Sequence, residues 1–492
     1  MKRYNKHRFL WRMMGWMVFG CLFLTCSVQA AADHSVVYSE KNISYGGKVF
    51  TIQYIEVDIK DPALKIKPVI AQGGIGQVED FQAMIERNGA VAAVNGTFFN
   101  AYEKDPGIRY PNGLLIADGQ VIHSGKNQSL AIDLNKEAVI EQWDMTLRAH
   151  VVQGGIQEDN QDYTFTVWGV NKYFGIEAID QVIVYTSDFG HKSIAFPNGS
   201  KVVVKNGIIT EITEKEVQIP EDGFVIFVGR AEGNIRYLLP NLHVGDKVKL
   251  QSTILNVDTQ KRSNAAEWLS AIGVGPKLLT AGQVDVDGER DGFTDPKITK
   301  SAAARSFVGI NQEGKLVMGT TSAATMPQLA GVLLELGVTD AMNMDGGASA
   351  ALYADGKVVR PAGRLLSNAW IVQKLDKPEV QIFVNGQYVH EYQGFIDGET
   401  TMAPFRGIFE RMDAEFEWDN ETRTLSARKD EIALKLYPDQ LTAYVNEEPI
   451  ILDRAPVILE GHIYIPLRFV VQTLGASVEW DQELYRASIT VP

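Results

Sequence analysis

Cysteine is nearly absent. Cys21 and Cys26 are the only two in 492 residues, and both lie at the extreme N-terminus. No disulfide framework can brace the rest, so its domains must hold together by burying cores of their own. Basic charge is also in short supply, with 47 Lys and Arg against 61 Asp and Glu, a net charge of −14. Nucleic-acid binding draws its affinity from clustered Lys and Arg, so no nucleic-acid partner is expected. Beyond the N-terminus no apolar run reaches the 18 residues that would suggest a membrane-spanning helix.

The usual catalytic signatures are missing too. The eight histidines are scattered, with no His-Glu-x-x-His and no His-x-His, which disfavours zinc or copper chemistry based on paired imidazoles. Gly74-Ile75-Gly76 is followed by Glu79 where a dinucleotide fingerprint needs glycine. Ser349 is followed by Ala351 where a nucleophile elbow needs glycine. What is present is an ordinary globular composition, 45% hydrophobic and 22% charged, with room for two or three domains.

At the N-terminus Lys2, Arg3, Lys6 and Arg8 precede an apolar run from Met13 to Cys26, and Val28-Gln29-Ala30 offers small residues for cleavage. Residues 1–32 therefore read as a secretory signal peptide. A retained anchor is the alternative, but the run is short of the roughly 20 residues a spanning helix needs. A lipoprotein site at Cys26 fits poorly. Removal of residues 1–32 takes away five basic and no acidic residues, leaving 42 against 61, a net charge of −19. The expected product is secreted, without a transmembrane helix, and in part cell-wall associated.

Residues 33–373 are dominated by short β-rich runs such as Val49–Val57 and Lys201–Val204, separated by Asn-Gly, Asp-Gly and Gly-Gly turns. Two helices stand out because each feeds a buried strand that ends in a polar, glycine-rich turn. In the first, Val78, Phe81, Met84 and Ile85 recur at helical spacing, Gly89 stops the helix, and Val91–Val94 leads to Asn95-Gly96-Thr97-Phe98-Phe99. In the second, Pro327 opens a helix with Leu329, Leu333 and Leu336 inward, Gly337 stops it, and Asp340–Met344 leads to Asp345-Gly346-Gly347-Ala348-Ser349. Glycine lets backbone approach a ligand with its N–H groups free to donate, as at the strand ends of α/β folds. Either turn alone would read as a simple tight turn.

After a linker at 374–379, residues 380–492 form an internal repeat. Ala403-Pro404-Phe405-Arg406 is matched 62 positions later by Ile465-Pro466-Leu467-Arg468, and Ala414, Trp418 and Asp419 by Ala476, Trp480 and Asp481. Each unit reads as a hairpin, a helix opened by proline and a strand carrying Glu-Trp-Asp. The helical apolar stripes are most simply core.

Asn95, Arg305, Asn343, Asp345 and Arg364 remain as candidates for chemistry. Amides, a guanidinium fork and free backbone N–H groups suit a sugar or phosphate ligand, and a carboxylate beside them can act as nucleophile or acid/base. Six ordered motifs between Tyr54 and Val372 make the reading specific. They are Asn95-Gly96-Thr97-Phe98-Phe99, Pro111-Asn112-Gly113-Leu114, Gly273-Val274-Gly275-Pro276, Ala304-Arg305-Ser306 with Gly309, Asn343 through Ser349, and Arg364 with Asn368. Through them this region resembles the phosphodiester glycosidase family.

The resemblance implies an α+β fold, a mixed β-rich catalytic domain with few helices, and hydrolysis of the bond between a sugar's anomeric carbon and a phosphodiester. N-acetylglucosamine-1-phosphodiester is the expected substrate type. It implies a catalytic set of Asp345, Asn343 and Arg305, and a binding set of Asn95, Gly96, Thr97, Phe99, Asn112, Ser306, Gly346, Gly347, Ser349 and Arg364. Arg305 and Arg364 would hold phosphate. Thr97, Ala348 and Ala350 depart from the family pattern, which bears on substrate choice. The C-terminal repeat resembles the copper amine oxidase N-terminal-like stalk domain, which implies attachment to a cell wall or matrix. No quinone precursor or histidine triplet accompanies it, so copper is not expected. No cofactor is required by the residues, although calcium would suit Asp345 with neighbouring carbonyls. The partner implied is a phosphate-linked glycan such as an exopolysaccharide. A glycan-binding or structural envelope protein that does not cleave is the alternative.

Overall fold

The computed structural model describes residues 34–125, 128–153, 162–173, 179–390 and 393–492. The signal-peptide expectation for residues 1–32 falls outside them. Among the described residues strands far outnumber helices, and only five short α-helices interrupt them. The β-rich α+β class expected from the turn-punctuated sequence is what forms.

Three large sheets and a two-stranded ribbon, 193–194 with 217–218, build the first region. A seven-stranded antiparallel sheet has the spatial order 36–45, 48–57, 316–324, 303–311, 338–343, 277–280, 283–284. A five-stranded antiparallel sheet runs 357–360, 352–354, 90–95, 368–374, 64–70. A third sheet of thirteen strands carries most of residues 115–274. Val94 and Trp370 of the five-stranded sheet, Val308 and Met342 of the seven-stranded sheet, and Leu130 and Ile272 of the third share one buried cluster. That common core brings strands from separate sheets to a single point.

The two helix–strand units form where local signals place them. Asp80 caps the helix Phe81–Arg87 by accepting from Ala83 N–H, and Phe81, Met84 and Ile85 are its buried face. The helix Met326–Leu336 opens with a Thr325/Gln328 capping box, carries Pro327 in its first turn and ends at Gly337 with φ +94°. The strands they feed, Ala90–Asn95 and Val338–Asn343, lie in different sheets, and every partner of each is antiparallel. The strand-end geometry expected of α/β folds therefore arises here from two antiparallel sheets meeting over one core.

The C-terminal repeat has its own buried cluster, running from Val380 to Ile489. Each unit carries its helix, Phe405–Arg411 or Leu467–Thr473, and its Glu-Trp-Asp strand, Glu415–Asp419 or Ser477–Asp481. Proline occupies the N-cap of both helices. Strand Asn368–Lys374 ends the first region and strand Glu379–Val384 begins the second, so the connection is only residues 375–378. Lys65 spans the junction, 2.9 Å from Asp118 and 3.0 Å from Glu379. No helix among the described residues is long and apolar enough to cross a membrane.

Candidate active site

Asn95, the last residue of its strand, fastens the sheets together. Its Oδ1 accepts from Ser306 Oγ at 2.7 Å and from Ala351 N–H at 3.0 Å, and its Nδ2 donates to the Asp345 carbonyl at 2.6 Å. The two glycine-rich turns thus meet, and Asp345 N–H also donates to the Gly96 carbonyl at 3.3 Å. Asn368 completes the joint. Its side-chain oxygen accepts from Thr97 N–H at 2.8 Å, and a Cβ on Gly96 would lie 1.7 Å from that oxygen. Only glycine fits there.

Asn343 is fully buried on the facing strand, opposite Phe307. Its Nδ2 donates to the carbonyls of Met344 at 2.6 Å and Gly275 at 3.2 Å, while its Oδ1 has no partner. Thr97 Oγ1 and Ser349 Oγ are likewise buried without a well-formed hydrogen bond. Buried polar atoms are nearly always satisfied, so unpaired atoms on the turns that meet at Asn95 mark a place where buried water completes the set.

Asp345 follows Asn343 at the strand end and is half-buried. Burial pushes its carboxyl up to about 6, against the opposing pull of the Ser349 hydroxyl, the Arg364 guanidinium and the Gly346 N–H. Arg364 is carried on the adjoining loop, which is tied to the Asp345 turn by Gly363 N–H donating to the Ala348 carbonyl at 2.7 Å. Its guanidinium lies 5.2 Å from the centre of the Tyr102 ring and donates to the Tyr102 hydroxyl at 3.4 Å. That hydroxyl is shifted down by Arg364 first and by Lys297 after it, and it also feels Asp345. Asp345, Arg364, Tyr102 and Lys297 therefore share one rim.

The other candidates are placed differently. Arg305 is buried, with Nε donating to the Ala324 carbonyl at 3.0 Å and Nη2 to the carbonyls of Ile298, at 3.2 Å, and Ser301. Two of its three nitrogens thus hold backbone, and burial shifts the guanidinium down. Ser306 is spent on Asn95. Phe99 packs into the core around Phe81, Met84 and Ile85, whereas Phe98 meets the Phe293 ring at 5.6 Å beside Gly275. Asn112 is exposed, and its backbone N–H donates to the Phe98 carbonyl at 2.8 Å. Gly346 lies against the Ala304 carbonyl, and Gly347 adopts φ +61° in open space.

Tyr102 and Phe293 escaped sequence reasoning because they sit in loops without periodicity, and Lys297 because its helix, Pro296–Thr299, is a single turn. His123 escaped because a lone histidine carries no pattern. It is buried behind the Asn112 loop, its Nδ1 2.8 Å from the Gly113 carbonyl, and burial holds it down at about 4. Among the described residues no group of three or more His, Cys, Asp or Glu is arranged to hold a metal ion.

Comparison with known proteins agrees with this geometry at the level of the family. Residues 198–373 match the phosphodiester glycosidase family. Residues 383–489 match the copper amine oxidase N-terminal domain. The phosphodiester glycosidase match takes in Arg305, Ser306, Asn343 to Ser349 and Arg364 but begins after the Asn95 and Asn112 turns, which join the site through the contacts just given. A search of curated proteins found no match.

Among solved structures, a hypothetical protein from Synechocystis aligns at 18% identity with a TM-score of 0.56, over 69% of this chain and 62% of that one. A putative exported protein from Burkholderia pseudomallei aligns at 17% and 0.53, over 66% and 74%. These likenesses establish the fold alone. The catalytic domain of zebrafish N-acetylglucosamine-1-phosphodiester alpha-N-acetylglucosaminidase aligns at 14% identity over 69% of this chain and 82% of that one. Its TM-score of 0.33 is below that of a shared fold.

Proposed function

We propose that this chain is a hydrolase that cleaves a sugar-1-phosphodiester on an extracellular or cell-wall glycan. N-acetylglucosamine-1-phosphodiester is its model substrate. The observation that carries the reading is Asp345, a carboxylate raised to about 6 that faces the Ser349 hydroxyl and the Arg364 guanidinium. A phosphomonoester has its second ionisation near pH ~6, so it departs without strong acid assistance. The demanding half of the reaction is delivery of water to the anomeric carbon. Asp345 is ionised roughly ten to one at pH 7 and is suited to be base or nucleophile.

As base, it takes a proton from water as the oxygen bonds to the anomeric carbon, and the carbon–oxygen bond to phosphate breaks with its electron pair leaving on phosphate. Arg364 presents a planar fork to the phosphate oxygens, with Lys297 adding charge at the rim. Asn343 and Thr97, both buried, would act on the sugar through a buried water. Asn95, Ser306 and Arg305 hold these groups in place. No residue in this scheme needs a metal, so chelation is expected to leave turnover unchanged. A loss restored by calcium would recast Asp345 as a ligand.

The test is sugar release from an N-acetylglucosamine-1-phosphate methyl diester by the wild type and by Asp345→Asn. Release by the wild type and at least about a thousandfold less by a folded variant is expected, as for loss of an essential base or nucleophile. No release by either, with glycan binding retained, would favour the non-cleaving envelope protein.

A further inference from the structure

We propose that the C-terminal repeat contains a second binding site, independent of Asp345, for a glycan bearing anionic substituents. A cleft of about 650 Å³ opens between the helix and tryptophan strand of the first unit and the hairpin of the second, lined by Arg406, Gly407, Glu410, Trp418, Arg423 and His462 among others. Its origin is visible when the units are compared at their offset of 62 residues. Gly407 corresponds to Phe469, and Arg423 to Tyr485. In the second unit Phe469, Trp480 and Tyr485 all pack against the domain core, and Tyr485 sets its ring 5.2 Å from Trp480 at 70°. The first unit keeps the tryptophan, likewise packed against the core, but has glycine where the second has Phe469 and arginine where it has Tyr485.

Backbone differences do not explain the opening. Arg423 and Tyr485 adopt the same left-handed conformation, φ +50° and +53°, in equivalent turns. The two tryptophans are also tethered alike, Trp418 Nε1 donating to Asn420 Oδ1 at 2.7 Å and Trp480 Nε1 to Gln482 Oε1 at 3.0 Å. With its N–H already satisfied, Trp418 has its ring left to offer as an apolar platform. An aromatic face rimmed by planar polar groups suits a sugar ring.

Charge narrows the ligand further. Among the described residues that line the cleft, Arg406 and Arg423 outnumber one carboxylate, Glu410, in a chain whose net charge is −14. Arg423 also makes a 3.4 Å contact with Asp439, exposed on both sides, and such a pair exchanges readily for a ligand anion. Guanidinium groups match carboxylate and phosphate alike, so the recognised element is a sugar carrying either.

The test is affinity electrophoresis of the full secreted chain through gels containing pectate, phosphomannan or neutral dextran. Pectate isolates the carboxylate source and phosphomannan the phosphate source. Retardation by at least one of these, and not by dextran, is expected. The double variant Gly407→Phe/Arg423→Tyr installs the second unit's own residues and should weaken retardation at least about tenfold. Arg406→Glu, at an exposed position, should do the same without filling the cleft. Both variants should release sugar at the wild-type rate, which separates this site from the one at Asp345. No retardation by either anionic polymer, equal retardation by dextran, or unchanged retardation of Arg406→Glu would each overturn the proposal.

Discussion

Asp345 is held in a setting that works against its own charge. Because its folded value is raised from 3.8 to about 6, the folded state retains a proton between those limits that the unfolded state has lost. Stability therefore falls as pH rises through that window, and the penalty is fully present above about pH 6. Asp345→Asn should be more stable than wild type by about 1–2 kcal/mol at pH 8, with the difference vanishing near pH 4, allowing for the partial solvation of the carboxylate. Melting curves at the two pH values check this, and a variant that is less stable at pH 8 contradicts it. Activity runs the other way, rising with pH through about 6 as the base ionises. Arg364→Lys keeps the charge but loses the fork and the stacking on Tyr102, so kcat/KM should fall by about tenfold, chiefly through KM.

The glycine turns show how elements rather than single residues set the site. A Cβ on Gly113 would lie 1.7 Å from the Gly273 carbonyl and 2.5 Å from Thr97 Oγ1, so the 96–99, 111–114 and 273–275 segments are stacked at backbone contact. Gly113→Ala must separate them and should cost about 2–4 kcal/mol in denaturant unfolding. Gly347→Ala meets no atom and bears only the left-handed φ of +61°, a cost of about 1–2 kcal/mol. Equal costs for the two would refute the stacking.

The elements legible in the sequence were those with complete local signals. Thr325, Pro327, Gln328 and Gly337 together mark both ends of one helix, and the apolar residues between them mark its face. Their pairing was not legible, because the strand at 90–95 finds its partners, 352–354 and 368–374, more than 250 residues along the chain, and the strand at 338–343 pairs with 277–280 and 303–311 rather than with either sequence neighbour. Asn95 and Arg305 were legible as important, but a residue type does not reveal that its hydrogen-bonding capacity is consumed by backbone. Phe98 and Phe99 make the same point, since only the fold decides which ring faces the core.

At the scale of the whole molecule the question is how the repeat is held against the first region, and magnitudes separate the contacts at the junction. Lys60 and Glu483 lie 3.2 Å apart, but their side chains are 56% and 73% exposed, and such a pair contributes well under ~1 kcal/mol. Lys65 is only 19% exposed and meets carboxylates from both sides of the junction. Burial pulls its ammonium down, yet Glu379 and Asp118 together shift it up, so the paired charge is favoured where it sits. Arg486 reinforces it, stacking 4.4 Å over Phe383 and donating to the Leu134 carbonyl at 2.6 Å and to Asn135 Oδ1 at 3.2 Å. Removing Lys65 takes from Asp118 and Glu379 the cation that pairs with both. Lys65→Ala should therefore cost about 1–3 kcal/mol and speed proteolysis at residues 375–378, whereas Lys60→Ala should change neither. Because each region has its own core, the loss should appear calorimetrically as two unfolding transitions in place of one. A single unshifted transition in Lys65→Ala would mean that apolar contact alone couples the regions, and that the repeat presents its cleft at a fixed distance from Asp345 without help from the ion pair.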